Sequence, residues 1–111
     1  SVTFEEGSEL KAIESYAFQN CHNLEKINIP EEVIQIKSHA FWACERLSSI
    51  CLPMSLKIID ASAFYTTKIK NVSLPDNCKY QGIKHGFPHE MSFPKDCIVT
   101  GGVSCDLYEG L

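Results

Sequence analysis

No stretch of this chain approaches the 18 consecutive apolar residues that a membrane-crossing helix needs, and no charged-then-apolar leader opens it. Nothing in these residues is expected to span a membrane or direct secretion, so an export signal is expected to have been removed or to lie outside this stretch. An excess of basic charge is missing too. The 10 Lys+Arg are interspersed among 14 Asp+Glu, for a formal charge of −4, which leaves no electrostatic footprint for nucleic acid. Also missing are a metalloprotease helix, a nucleophile elbow, a phosphate-binding glycine loop and a dinucleotide fingerprint. The chain is therefore not expected to be an enzyme or to carry a cofactor.

What is present is a sentence written three times. Ala17-Phe18 recurs as Ala40-Phe41 and Ala63-Phe64, at a constant step of 23 residues. Ile13, Ile36 and Ile59 stand four residues before each Ala. Downstream, the first two copies run Cys21-x-x-Leu24-x-x-Ile27-x-Ile29-Pro30 and Cys44-x-x-Leu47-x-x-Ile50-x-Leu52-Pro53. The third, Ile69-x-x-Val72-x-Leu74-Pro75, keeps the frame with one residue deleted and Cys lost. Self-similarity at such a period signals a solenoid.

A unit of about 23 residues cannot enclose a core, because ordering it costs roughly 1.5 kcal/mol per residue while its apolar groups face water. Stacked copies cover one another. The x-Ile-x-Ile-Pro segments alternate outward polar with inward apolar residues, the mark of a half-buried strand, so strands one coil apart should be parallel neighbours. Pro30, Pro53 and Pro75 should close those strands at a common rung. The Ile-x-x-x-Ala-Phe segment then crosses the opposite side, where Ser15 and Ser38 are placed to cap a single helical or 3-10 turn. Phe18, Phe41 and Phe64 should form one buried aromatic column.

The string L-x-x-I-x-x-x-A-F-x-x-C-x-x-L-x-x-I-x-I-P resembles the leucine-rich repeats of BspA-like surface proteins, over about residues 2–75. The fold this implies is a short, mostly β, right-handed α/β solenoid with a parallel sheet on one side and short helical turns on the other. The family often has Gly directly after the Ile that precedes Ala-Phe. Here Glu14, Lys37 and Asp60 stand there, so a left-handed backbone is not expected at those positions.

Residues 1–9 begin in mid-pattern and read as a partial repeat, with Val2-Thr-Phe4 as its strand, so the chain is expected to be a C-terminal fragment of a longer protein. Residues 10–75 carry the three repeats, and residues 76–111 read as a C-terminal cap punctuated by glycine and proline. A six-residue echo, Ser73-Leu-Pro-Asp-Asn-Cys78 against Ser92-Phe-Pro-Lys-Asp-Cys97, suggests one more strand at Ile98-Val99.

Six cysteines invite a disulfide reading. Cys21 and Cys44 share a repeat slot, where reduced buried thiols are the favoured expectation, although stacked coils also bring such a pair near bridging distance. Cys51 should point outward. Cys78, Cys97 and Cys105 are the better bonding set, with Cys97 and Cys105 nearest in sequence. His85-Gly-Phe-Pro-His89 matches no zinc signature and reads as a solvated loop, so no metal is expected.

Alternation turns Lys26, Asn28, Ser49, Cys51, Asn71 and Ser73 outward into a small polar face. Trp42 and Tyr65 fill the slot after Phe in consecutive copies and are candidates either for partner contact or for packing between coils. Asn71-Val-Ser73 is also a glycosylation sequon, meaningful in a secreted chain. The resemblance implies a cell-surface or extracellular protein-binding module that attaches to host cells or matrix proteins. The competing expectation is a structural spacer with no partner.

Overall fold

The computed structural model describes residues 11–82 and 91–107. Among these residues nine short strands are paired in parallel: β1 (Ala12–Ile13), β2 (Lys26–Asn28), β3 (Gln35–Ile36), β4 (Ser49–Cys51), β5 (Ile58–Ile59), β6 (Asn71–Ser73), β7 (Lys79–Gln81), β8 (Ile98–Thr100) and β9 (Val103–Cys105). Alternate strands share a side, so the chain winds as a mostly β solenoid of about four coils. Equivalent residues pair at the repeat step, as in Ile13 with Ile36, Ile36 with Ile59, and Ile27 with Ile50.

The expected distribution of sheet is corrected in two ways. The continuous five-stranded sheet, β1-β3-β5-β7-β9, begins with the three strands that carry the Ile preceding Ala-Phe and continues through β7 and β9, on the side expected to carry helical turns. The x-Ile-x-Ile-Pro side is split into β2-β4 and β6-β8. The predicted helical or 3-10 turns are absent among the described residues. In their place run successive bonded turns, with Ala17 N–H donating to the Glu14 carbonyl (3.1 Å), Gln19 to Tyr16 (3.1 Å) and Cys21 to Phe18 (3.3 Å). Tyr16, Asn20, His39, Ala43 and Ser62 have positive φ of 61–65°. The third residue of a type II turn requires this, and a right-handed helix cannot continue through it. The left-handed residues thus lie two positions beyond Glu14, Lys37 and Asp60.

The core is a file of equivalent side chains. Phe18 stacks on Phe41 with ring centroids 5.0 Å apart, Phe41 on Phe64 at 4.7 Å, and Phe64 on Phe93 at 5.5 Å. Phe93 is the unforeseen fourth member. The six-residue echo aligned it with Leu74, yet Phe64 N–H donates to the Ser92 carbonyl (2.7 Å), which puts Met91-Ser92-Phe93 in the Ala-Phe slot. The same echo's strand at Ile98-Val99 does form, as β8 against β6. Ser92 is fully buried and holds this junction: its hydroxyl accepts from Gln81 N–H (2.9 Å) and lies 2.9 Å from each of the Ile59 and Asp60 carbonyls.

Prolines mark each coil's exit as the sequence suggested. Val33, Leu56, Cys78 and Cys97 donate their N–H to the carbonyls of Pro30, Pro53, Pro75 and Pro94. Cys78 therefore occupies the fully buried slot of Val33 and Leu56, as a small apolar side chain. The Gly101-Gly102 bend between β8 and β9 has φ of 77° and 72°, and a Cβ on Gly101 would lie 2.4 Å from the Leu74 carbonyl oxygen.

Replacing Phe41 by Ala is expected to cost about 3–5 kcal/mol, because the cavity falls between two stacked rings. Phe18→Ala, at the half-buried end of the file, should cost less; urea unfolding of both variants checks the order. Gly101→Ala should also destabilise, through both the backbone clash and the strained φ, and a lowered Tm is the expected reading.

Candidate partner-binding surface

Alternation in the short strands brings Lys26 and Asn28 of β2, Ser49 and Cys51 of β4, and Asn71 and Ser73 of β6 to the outside, each exposed, while Ile27 and Val72 are buried behind them. This face is not one flat sheet. Between β4 and β6 no strand pairing forms, and a depression of about 330 Å³ opens there, lined by Ile50, Cys51, Leu52, Asn71, Val72, Ser73 and Thr100. The cause is the one-residue deletion. Nine residues separate Phe41 from Ile50 but eight separate Phe64 from Val72, so β6 cannot arrive in register with β4.

The shortened arc is repaired by hydroxyls. Asn20 N–H donates to the Trp42 carbonyl (2.9 Å), but its equivalent Ala43 N–H donates to the Thr66 hydroxyl (2.7 Å) instead of a main-chain oxygen. Thr67, buried in the slot of Cys21 and Cys44, donates to the Phe64 carbonyl at 2.7 Å.

On the turn flank the structure regroups the candidate aromatics. Trp42 and Tyr65 are both half-buried but make no ring contact with each other. Trp42 instead meets His39 edge-on at 5.0 Å, and His39 stacks on Tyr16 at 5.1 Å with planes 5° apart. Tyr16 is 49% exposed. The result is a short aromatic row, Tyr16-His39-Trp42, at the rim of coils one and two. Sequence reading missed its first two members: Tyr16 and His39 stand 23 residues apart, each two before Phe, a spacing that gives them one repeat slot without saying that the slot lies at the rim. Beside the row, Lys37 Nζ pairs with Glu14 at 2.8 Å. This exposed ion pair adds little stability.

The cysteines are free thiols. Burial pushes Cys44 up to about 11, with the Cys21 backbone opposing that shift and the Cys21 thiol adding to it; burial alone pushes Cys78 up to about 11 and raises Cys97. Cys97 leads into β8 while Cys105 ends β9, so this expected pair falls on different sheets. The His85–His89 segment lies outside the described residues. Among those described, no group of three or more His, Cys, Asp or Glu is placed to hold a metal ion, and no helix is long and apolar enough to cross a membrane.

A parallel, flush-stacked solenoid with an aromatic slot and a proline exit in successive coils defines a repeat scaffold. The chain belongs to the BspA type leucine-rich repeat family, whose model matches residues 1–85 in six copies. No curated protein and no solved structure matches it.

The two most perturbed thiols set a pH dependence. The unfolded chain gives up these protons near the usual thiol value of 9.0, whereas the folded chain holds them to about 11. The contribution is thus fully present below pH 9 and lost as pH rises from 9 to 11. Urea midpoints across that window should fall less steeply for Cys78→Ala than for the parent chain.

Proposed function

We infer that this chain is a non-enzymatic protein-binding module of a cell-surface or extracellular protein, attaching to a protein of a host cell or of the extracellular matrix. The observation that carries the reading is the pairing of a repeat scaffold with a partly exposed aromatic row, Tyr16-His39-Trp42, since rigid aromatics dominate binding hot spots. Lys26, Asn28, Ser49, Asn71 and Ser73 on the strand face, and the half-buried Tyr65 in the slot after Phe64, are the further candidate contacts. Leucine-rich repeat solenoids are typically scaffolds for recognition and not for catalysis. The right-handed winding expected of parallel crossover connections belongs to the same reading.

A structural spacer is the second reading. It is favoured by the strand face, whose outward residues are short and polar, with no large anchor.

Immobilised host-cell surface proteins and matrix proteins, titrated with the folded chain, separate the two. Saturable binding that weakens about tenfold or more on Trp42→Ala or Tyr16→Ala is the expected outcome for a hot-spot contact. Absence of saturable binding, with attachment unaltered by changes at Lys26, Asn28, Asn71, Trp42 or Tyr65, would leave the spacer standing.

A further inference from the structure

Cys21 and Cys44 stand in one slot of successive coils, and the main chain around them is locked in register. Phe18 N–H donates to the Ala40 carbonyl and Asn20 N–H to the Trp42 carbonyl, both at 2.9 Å, immediately before the two cysteines. Each cysteine closes the same turn: Cys21 N–H bonds the Phe18 carbonyl (3.3 Å) and Cys44 N–H the Phe41 carbonyl (3.2 Å). Parallel neighbours held this way lie about 4.8 Å apart, inside the roughly 4.4–6.8 Å range of Cα separations that disulfides span. The sulfur of Cys44 already leans across the gap, donating to the Phe18 carbonyl of the first coil at 2.9 Å.

We propose that Cys21 and Cys44 are an oxidation site, closing to a disulfide that clamps the first complete coil onto the second when the chain meets a small-molecule disulfide such as oxidised glutathione. Access sets the order of events, since Cys21 is half-buried while Cys44 is fully enclosed. The Cys21 thiolate attacks the oxidant, an S–S bond to Cys21 forms, and one glutathione leaves as thiol. Cys44, after losing its proton to solvent, attacks the Cys21 sulfur; the Cys21–Cys44 bond forms and the second glutathione leaves, taking up a proton. Two protein thiols are oxidised and one disulfide is reduced. Burial of Cys44 makes it the poorer first nucleophile, in keeping with this order.

The pairing is selective along the column, because the third coil has Thr67 where another cysteine would compete. Cys51 lies in β4 with its side chain on the exposed strand face, away from the buried slot of Cys44. A bridge here closes a loop spanning one coil, so it constrains the unfolded chain while leaving the folded stack in place.

The test is incubation of the folded chain with oxidised and reduced glutathione, followed by peptide mapping under non-reducing conditions. A Cys21–Cys44 cross-linked peptide is expected, two hydrogens lighter than the dithiol, together with a Tm rise of roughly 10 °C that dithiothreitol reverses. Cys21→Ser and Cys44→Ser should each abolish both signals. A stable glutathione adduct on Cys21 with Cys44 still reduced, or Cys44 joined to any other cysteine, would overturn the proposal. The map on the unaltered chain gives this answer even if a variant fails to fold.

Discussion

Each coil is stable only because the next one lies flush upon it. The 23-residue step fixes which atoms meet: Ile13, Ile36 and Ile59 in one parallel sheet, and Phe18, Phe41, Phe64 and Phe93 in one ring file with centroids 4.7–5.5 Å apart. Ring spacing and strand spacing are nearly equal, so the side-chain file and the main-chain ladder reinforce each other. Ala40 and Ala63, both fully buried, leave room beside each ring for the adjoining turn to approach. Gln35 with Asp60, and Ser55 with the Val33 carbonyl, repeat the logic at the surface by bonding residues about one coil apart.

The period, the identity of the inward residues and the proline exits were all readable in the chain, because they depend on spacing and apolar character alone. Backbone conformation was less readable. Ser15 and Ser38 suggested helical caps, but helix and bonded turn share the same short-range hydrogen bonds, and only φ at Tyr16 and His39 separates them. Neither residue advertises a left-handed backbone as glycine would. Phe93 escaped notice for another reason: its step from Phe64 is 29 residues, outside the regular period. The Phe64–Ser92 main-chain bond nonetheless puts Phe93 in line at the core.

The candidate surface was legible in part. Alternation placed Lys26, Asn28, Ser49, Asn71 and Ser73 outward correctly, but could not show that losing one residue parts β6 from β4. The aromatic row required knowing that the residue two before Phe turns its side chain along the rim, which follows from the turn geometry and not from hydrophobicity. Cys78 shows the converse: grouped by composition with a cap, it is instead the buried equivalent of Val33 and Leu56.

The loss of one residue in the third copy has a bearing on how such a chain changes over generations. Removing or duplicating a complete winding brings matched surfaces back together, since every neighbour finds the partner it had before. Removing a single amino acid leaves the stack intact on one side but forfeits a strand pairing on the other, and two threonine hydroxyls are enlisted to mend the turn. Whole-unit gain and loss is therefore the easy path for altering the reach of this scaffold, while single-residue slips create local irregularities from which a distinct surface can arise.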